Sequence, residues 1–215
     1  MKNYQYYIFD WDGTLMDSIS YIVSSMQQAF KQSHFPIPSE EHVKSIIGLG
    51  LNNAILQLMP QLTHEQCQQI ANSYKEQYAV GDTTKLMLFN GVHHLLTRLH
   101  SQDKIITIAT GKSRAGLNNV LKLTNSEDFF ADTKTVDEAQ SKPHPDMINQ
   151  IIKSANIQKH QAVMIGDSYF DMKMAENAGI DCIGVTMGTG SQQSLAQHNP
   201  KAIVDSIEAL TALIT

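Results

Sequence analysis

Cysteine is almost missing: the 215 residues hold two, Cys67 and Cys182, far apart and without the paired spacing of a metal site. That excludes a disulfide framework and fits a reducing, cytoplasmic setting with free thiols. No apolar run approaches the length of a membrane helix, and Lys2 followed by mixed tyrosines is not the pattern of a signal peptide, so a protein away from membranes is expected. Positive charge is also short. Sixteen basic against twenty-one acidic residues give a formal net charge of −5, which argues against a nucleic-acid surface. A phosphate-bearing substrate stays compatible if a few cations act locally. Internal repeats and low-complexity segments are absent, and the nine histidines have no metal-ligand spacing; His93 and His94 are expected on a solvent face. A chain of this length holds one large domain, or a domain with a smaller insertion, with most of its apolar surface buried.

What is present begins at YYIFDWDGTLMDS, Tyr6 to Ser18. A β-favouring run (Tyr4, Tyr6, Tyr7, Ile8, Phe9) breaks off at Asp10 and Asp12, followed by Gly13 and Thr14. Carboxylates at the end of an apolar strand are costly unless neutralised, and a divalent metal, or a reacting group bound beside one, would do so. Asp-Gly is equally a common turn pair, so a plain strand-to-turn junction is an even rival.

Past Ser18 the spacing becomes helical, with Ile19, Ile22, Val23, Met26, Ala29 and Phe30 on one face and Pro36 and Pro38 as the stop. Further helices are expected from Ser39, over Asn52 to Met59, and from Thr63 through Tyr78, ending at Gly81-Asp82-Thr83-Thr84. From Met87 strands and helices alternate: strands at Lys104–Ala109, Phe130–Thr133, Ala162–Ile165, Asp181–Val185 and Ala202–Val204, with helices after Gly91 and at Ser113–Leu123, Pro145–Ala155, Tyr169–Ala178 and Ser206–Leu213. That alternation predicts a parallel sheet covered on both faces. The expected fold is α/β, with residues 1–16 and 84–215 as the core and 17–83 as an all-helical insertion after the first strand.

Ligands of open parallel sheets bind beyond the carboxyl ends of the strands. Those ends carry Asp10 and Asp12, then Thr110-Gly111-Lys112-Ser113, then Gly166-Asp167-Ser168 with Asp171 one turn on; Lys142 in SKPHPD is expected at the same rim. Each has a duller reading: Thr110 or Ser113 as helix caps, Asp171 as the acid of a capping box, Lys142 as a solvated lysine. Two patterns fail. ATGKS has Ile106 where a phosphate loop needs its first glycine, and a calcium loop from Asp10 would put Leu15 and Tyr21 at its glycine and bidentate acid. The glycines at 48, 50, 188 and 190 lack the rest of a dinucleotide fingerprint.

DWDGTLMDS, Thr110, Lys142 within KPHPD and GDSYFD, in that order, together resemble the four motifs of haloacid-dehalogenase-superfamily phosphatases of the phosphoglycolate-phosphatase-like group. The resemblance spans the whole chain. It departs at Gly111, where many relatives have asparagine, and at Asn90, where many have proline. It implies a Rossmann-like core, a small helical cap over the site, and a Mg²⁺-dependent hydrolase of a small phosphorylated metabolite, working as a monomer or weak homodimer. At matching positions Asp10 would attack phosphorus and Asp12 would move protons, a division that sets aside the dehalogenase branch. Asp10, Asp167 and the carbonyl of Asp12 would hold the metal, with Asp171 as a further ligand or an anchor behind it. Thr110, Gly111 and Lys142 would hold the phosphoryl oxygens. The cap loop Ile46–Asn53 would set specificity or merely join two helices; Lys112 and Asn53 are the expected substrate contacts. The rivals are a phosphosugar mutase, a phosphonate-cleaving relative using Lys44, and an idle binding protein on the same fold.

Overall fold

A computed structural model of the chain describes residues 3–81 and 86–215. The first strand, β1 (Tyr6–Phe9), is followed by a tight turn and a two-residue strand, β2 (Met16–Asp17). Four helices come next: α1 (Ile19–Gln32), α2 (Glu40–Lys44), α3 (Leu51–Leu58) and α4 (His64–Val80). The chain re-enters through β3 (Met87–Leu88), antiparallel to β2, then runs α5 (Val92–Ser101), β4 (Ile105–Ala109), α6 (Arg114–Leu123), β5 (Asp132–Lys134) and α7 (Asp146–Ala155). It finishes with β6 (Ala162–Gly166), α8 (Tyr169–Ala178), β7 (Asp181–Val185), α9 (Gln192–Ala196), β8 (Ala202–Val204) and α10 (Ile207–Ile214). The main sheet is six-stranded and parallel, in the order β5-β4-β1-β6-β7-β8.

Strand residues alternate between two cores, which is why both faces are covered. Tyr7, Phe9, Ile106, Ile108, Val163, Ile165, Ile183 and Val185 share one core with the apolar sides of α5, α6 and α10. Ile8, Ala109, Met164 and Cys182 point the other way, onto Met147, Ile148 and Ile151 of α7 and Met172 and Ala175 of α8. The helices between β2 and β3 have a core of their own, built from Ile22, Met26, Phe30, Val43, Ile55 and Ile70 among others. Their starts follow side-chain chemistry: Thr63 and Gln66 close a capping box on α4, and Ser39 accepts from the His42 N–H on α2.

The sheet order runs outward from β1 to β4 and β5 on one side, then to β6, β7 and β8 on the other. The reversal between β1 and β6 is the place where such sheets leave a crevice. Phe9 pairs with both Ile108 and Ile165, so Asp10, Thr110 and Asp167 leave the sheet at one edge.

Three expectations change. The strand expected at Phe130–Thr133 runs from Asp132 to Lys134, because Phe129 and Phe130 are taken up in a turn whose N–H groups donate to Ser126 and Glu127. The buried Ile46 and Ile47, expected inside the second helix, lie beyond its end at Lys44. The ribbon β2–β3 and the five-residue α9 were not expected. The insertion's expected end, between residues 83 and 84, and the break expected at Asp82–Thr84 lie outside the described residues. Cys67 and Cys182 are free and buried. Among the described residues no helix is long and apolar enough to cross a membrane.

Candidate active site

Asp10 keeps the β ladder to its last residue, its N–H donating to the Ile165 carbonyl at 2.9 Å. The chain then folds back on Trp11, whose carbonyl accepts from the N–H groups of Thr14, Leu15 and Met16. Gly13 takes φ +75°, and a Cβ there would lie 2.6 Å from Asp167 Oδ2, so glycine is required on two counts. The turn sets the Thr14 hydroxyl on Asp167 Oδ1 at 3.0 Å. The other carboxylate oxygen, Oδ2, accepts from the N–H (2.8 Å) and hydroxyl (3.0 Å) of Thr189 in the loop after β7.

Lys142 is fully buried between two acids, with Nζ 2.7 Å from Asp10 Oδ1 and 2.6 Å from Asp171 Oδ1. It is not a solvated lysine. Asp171 Oδ2 accepts from the N–H and the hydroxyl of Ser168 at 3.0 and 2.6 Å, so the capping box and the place in the site hold together. The Lys142–Pro143 peptide is cis.

The electrostatics follow from depth. Burial, then Asp171, lifts the Asp10 carboxyl well above the usual carboxylate range against the pull of Lys142. Asp167 is pushed up to about 7 by burial and Asp171, opposed by its Thr189 and Thr14 donors. Burial draws Lys142 down, but Asp10 and Asp171 outweigh it and hold the ammonium above its usual value. Three carboxyls share one ammonium, so they can all be ionised together only if a further cation joins them. One oxygen each from Asp10, Asp167 and Asp171 lies within 4.8 Å of the others. Asp10 Oδ1 is buried and, among the described residues, has the Lys142 ammonium at 2.7 Å as its one ion-pair partner. A set of carboxylate oxygens alone, crowded so closely and outnumbering their ammonium, fits a hard divalent cation.

The Asp12 carboxylate stands outside this cluster, turned to the Ser18 hydroxyl (2.6 Å) and the Lys112 ammonium (3.0 Å). Thr110 is buried, its Oγ1 accepting from the Lys112 N–H. Ser113 serves as the cap of α6, accepting from Gly116. Asp10, Asp12, Thr110, Gly111, Lys112 and Asn53 open onto one cavity of about 1320 Å³ between the sheet edge and the four helices. The loop before α3 crosses it: Gly50 N–H donates to Ser141 Oγ at 2.8 Å, and a Cβ on Gly111 would stand 2.6 Å from the Gly48 carbonyl. Glycine at 111 is what lets that loop sit down.

A sequence profile describing haloacid dehalogenase-like hydrolases matches residues 7–185. The chain belongs to this family. As a haloacid dehalogenase-like hydrolase it is similar to a phosphoglycolate phosphatase of Vibrio cholerae, 28% identical over 222 residues that cover 100% of this chain and 98% of that one. It is equally 28% identical to the pyrophosphatase PpaX of Bacillus pumilus, over 96% and 94% of the two chains. Among solved structures, a haloacid dehalogenase-like family hydrolase of Streptococcus pneumoniae superposes with a TM-score of 0.85 at 26% identity, with all of both chains covered.

In this member Asp10, Lys142, Asp167 and Asp171 form one buried cluster, while Asp12, Thr110, Gly111, Lys112 and Asn53 line the cavity beside it and Ser113 caps α6. Ser18, Thr14, Thr189, Ser141 and Tyr78 were not expected. Thr14 and Ser18 lie within the first motif and Thr189 follows the strand Asp181–Val185, so these three left a signal, whereas Ser141 and Tyr78 left none.

Proposed function

We propose that this hydrolase is a Mg²⁺-dependent phosphomonoesterase working through an aspartyl-phosphate on Asp10. The observation that supports it most is the buried carboxylate cluster around Lys142, with Asp10 both at the strand end and on the cavity. Asp10 and Asp167, with the backbone carbonyl of Asp12, would hold the cation. Asp171, both of whose oxygens already take protein donors, would anchor Lys142 from behind. Bound there, the metal supplies charge neutralisation for an anion approaching an anion.

Asp10 would attack phosphorus in line, forming the carboxylate–phosphorus bond as the ester P–O bond breaks. Asp12 would give its proton to the departing alcohol and later take one from water. Thr110, the N–H groups near Gly111, and Lys142 would bind the phosphoryl oxygens. Residues 17–83 would act as a cap that excludes water, with Asn53 offered to the substrate's far end. The substrate would be a small phosphorylated metabolite, met in the cytoplasm by a monomer or weak homodimer.

Hydrolysis of 4-nitrophenyl phosphate by the whole chain tests this. Wild type should release free phosphate only with Mg²⁺, and Asp10→Asn should lose activity by more than about 1000-fold. Metal-independent turnover, or an active Asp10→Asn variant, would sink it. Transfer of the phosphoryl group to a sugar hydroxyl without free phosphate would point to the mutase instead.

A further inference from the structure

Lys112, expected as a substrate contact, has its ammonium engaged within the protein. Nζ lies 3.0 Å from Asp12 Oδ1 and donates to the Tyr78 hydroxyl at 3.1 Å, with the side chain only 9% exposed. The same Asp12 oxygen accepts from Ser18 Oγ at 2.6 Å. Among the described residues no hydrogen bond reaches Asp12 Oδ2. One carboxylate thus has an anchored oxygen and a free one, and Asp12 borders the cavity.

Both anchors depend on the helical insertion. Ser18 is the residue from which α1 springs, and Tyr78 belongs to the far end of α4. Tyr21 of α1 holds Tyr78 in turn: its hydroxyl donates to the Tyr78 carbonyl at 2.8 Å, and the two rings meet edge to face at 4.9 Å. Tyr78 thus links α4 to Lys112 in the turn before α6.

We propose that Lys112 is a positioning residue for proton transfer: clamped by Tyr78, it fixes Asp12 Oδ1 so that Oδ2 addresses the leaving oxygen, and so ties the seating of the helical insertion to acid catalysis. This rests on the phosphatase reading and adds a control to the same site. In the first step Asp10 bonds to phosphorus, the ester P–O bond breaks, and the proton on Asp12 Oδ2 passes to the released oxygen. Two donors already occupy Oδ1, so the transferable proton belongs on Oδ2. Lys112 keeps its protons throughout. A lysine that only stabilised the fold, or that bound substrate, would have no reason to favour one leaving group over another.

Leaving-group dependence therefore separates the roles. The full chain with Mg²⁺ is assayed on 4-nitrophenyl phosphate, whose leaving group needs little protonation, and on phenyl phosphate, which is similar in shape but needs more. The parameter is kcat/KM, which stops at formation of the phosphoenzyme and excludes the later water step. Lys112→Met should lower it about 100-fold for phenyl phosphate and less than about 10-fold for the nitrophenyl ester. Tyr78→Phe, which removes one hydroxyl and tests the same link should Lys112→Met not fold, should show the same preference at about 10-fold. Adding Lys112→Met to Asp12→Asn should cost nothing further on phenyl phosphate, because the two act as a unit. Equal losses on both esters, or additive losses with Asp12→Asn, overturn the proposal while leaving the phosphatase reading intact. A wild type inert on both esters overturns the reading and this proposal with it.

Discussion

The sheet edge and the helical insertion hold their polar groups in opposite ways. At the edge, Asp10, Lys142, Asp167 and Asp171 are buried together, with Lys142 held between Asp10 and Asp171 and Asp167 held by Thr14 and Thr189, so that removing the one ammonium would strand two carboxylates. The insertion has an apolar core of its own and meets the edge through a handful of contacts: Gly50 on Ser141, Tyr78 on Lys112, and a loop resting on Gly111. On the proposed function this would hold the groups that act on phosphorus in a fixed register while the part that admits a substrate is tied at a few points. The contrast predicts that damage to the edge shows as lost stability and damage to the contacts shows as altered KM.

Lys142→Met should break the contrast hardest. It leaves Asp10 and Asp171 buried without their cation, which costs about 3–5 kcal/mol of stability. Urea unfolding without added metal measures this. Turnover of 4-nitrophenyl phosphate should fall more than about 100-fold in the same variant. A variant as stable as wild type would mean that the cluster is not the rigid half of the molecule.

Gly111→Ala tests the other half. The new Cβ would meet the backbone carbonyls of Gly48 and Leu49 at 2.6 and 2.7 Å, and neither is the flexible end of a side chain. The loop must lift. KM should rise about tenfold while global stability changes by less than about 1 kcal/mol, since the strain is relieved by shifting the half-buried Gly48–Leu49 turn and alanine narrows the unfolded ensemble. Steady-state kinetics with a parallel unfolding curve read both. A stability loss matching that of Lys142→Met would erase the distinction between the regions.

Much of the edge was legible in the sequence because local physics writes it there. Short, almost continuously apolar runs such as Tyr6–Phe9, Ile105–Ala109 and Ala162–Ile165, broken by Asp10, Thr110 and Gly166-Asp167, announce both the sheet and what stands at its ends. Lys142 between prolines, and Asp171 three residues past Ser168, have constrained backbones that can be read without tertiary knowledge. The contacts with the insertion were not legible, for the opposite reason. Tyr78 is 34 residues from Lys112, and Gly111 owes its identity to the carbonyl of Gly48 on another unit. Lys112 was accordingly expected to face substrate, when the half-buried Tyr78 and Asp12 hold its ammonium. The paired strands β2 and β3 have two residues each, too few for any periodicity.

The smallest effect belongs to an ion pair of the core that resembles the Lys142 cluster in chemistry and differs from it in exposure. Arg114 donates from Nε and Nη2 to the two carboxylate oxygens of Glu138, both at 2.9 Å, and about a third of each side chain is open to water. Its hydrogen bonds with Arg114, helped by the N–H and hydroxyl of Thr135, hold the Glu138 carboxyl down at about 2. A carboxyl lowered in the folded state stabilises at pH values above its unfolded pKa, and that share is lost as pH falls from about 4.5 toward about 2. Solvent screening limits the amount to about 1 kcal/mol or less. Glu138→Gln should therefore unfold slightly more easily than wild type at pH 6 and match it near pH 2.5, with thermal unfolding at the two pH values as the measure. If instead Glu138→Gln proved as destabilising as Lys142→Met, burial would not be what separates the strong ion pairs of this protein from the weak ones.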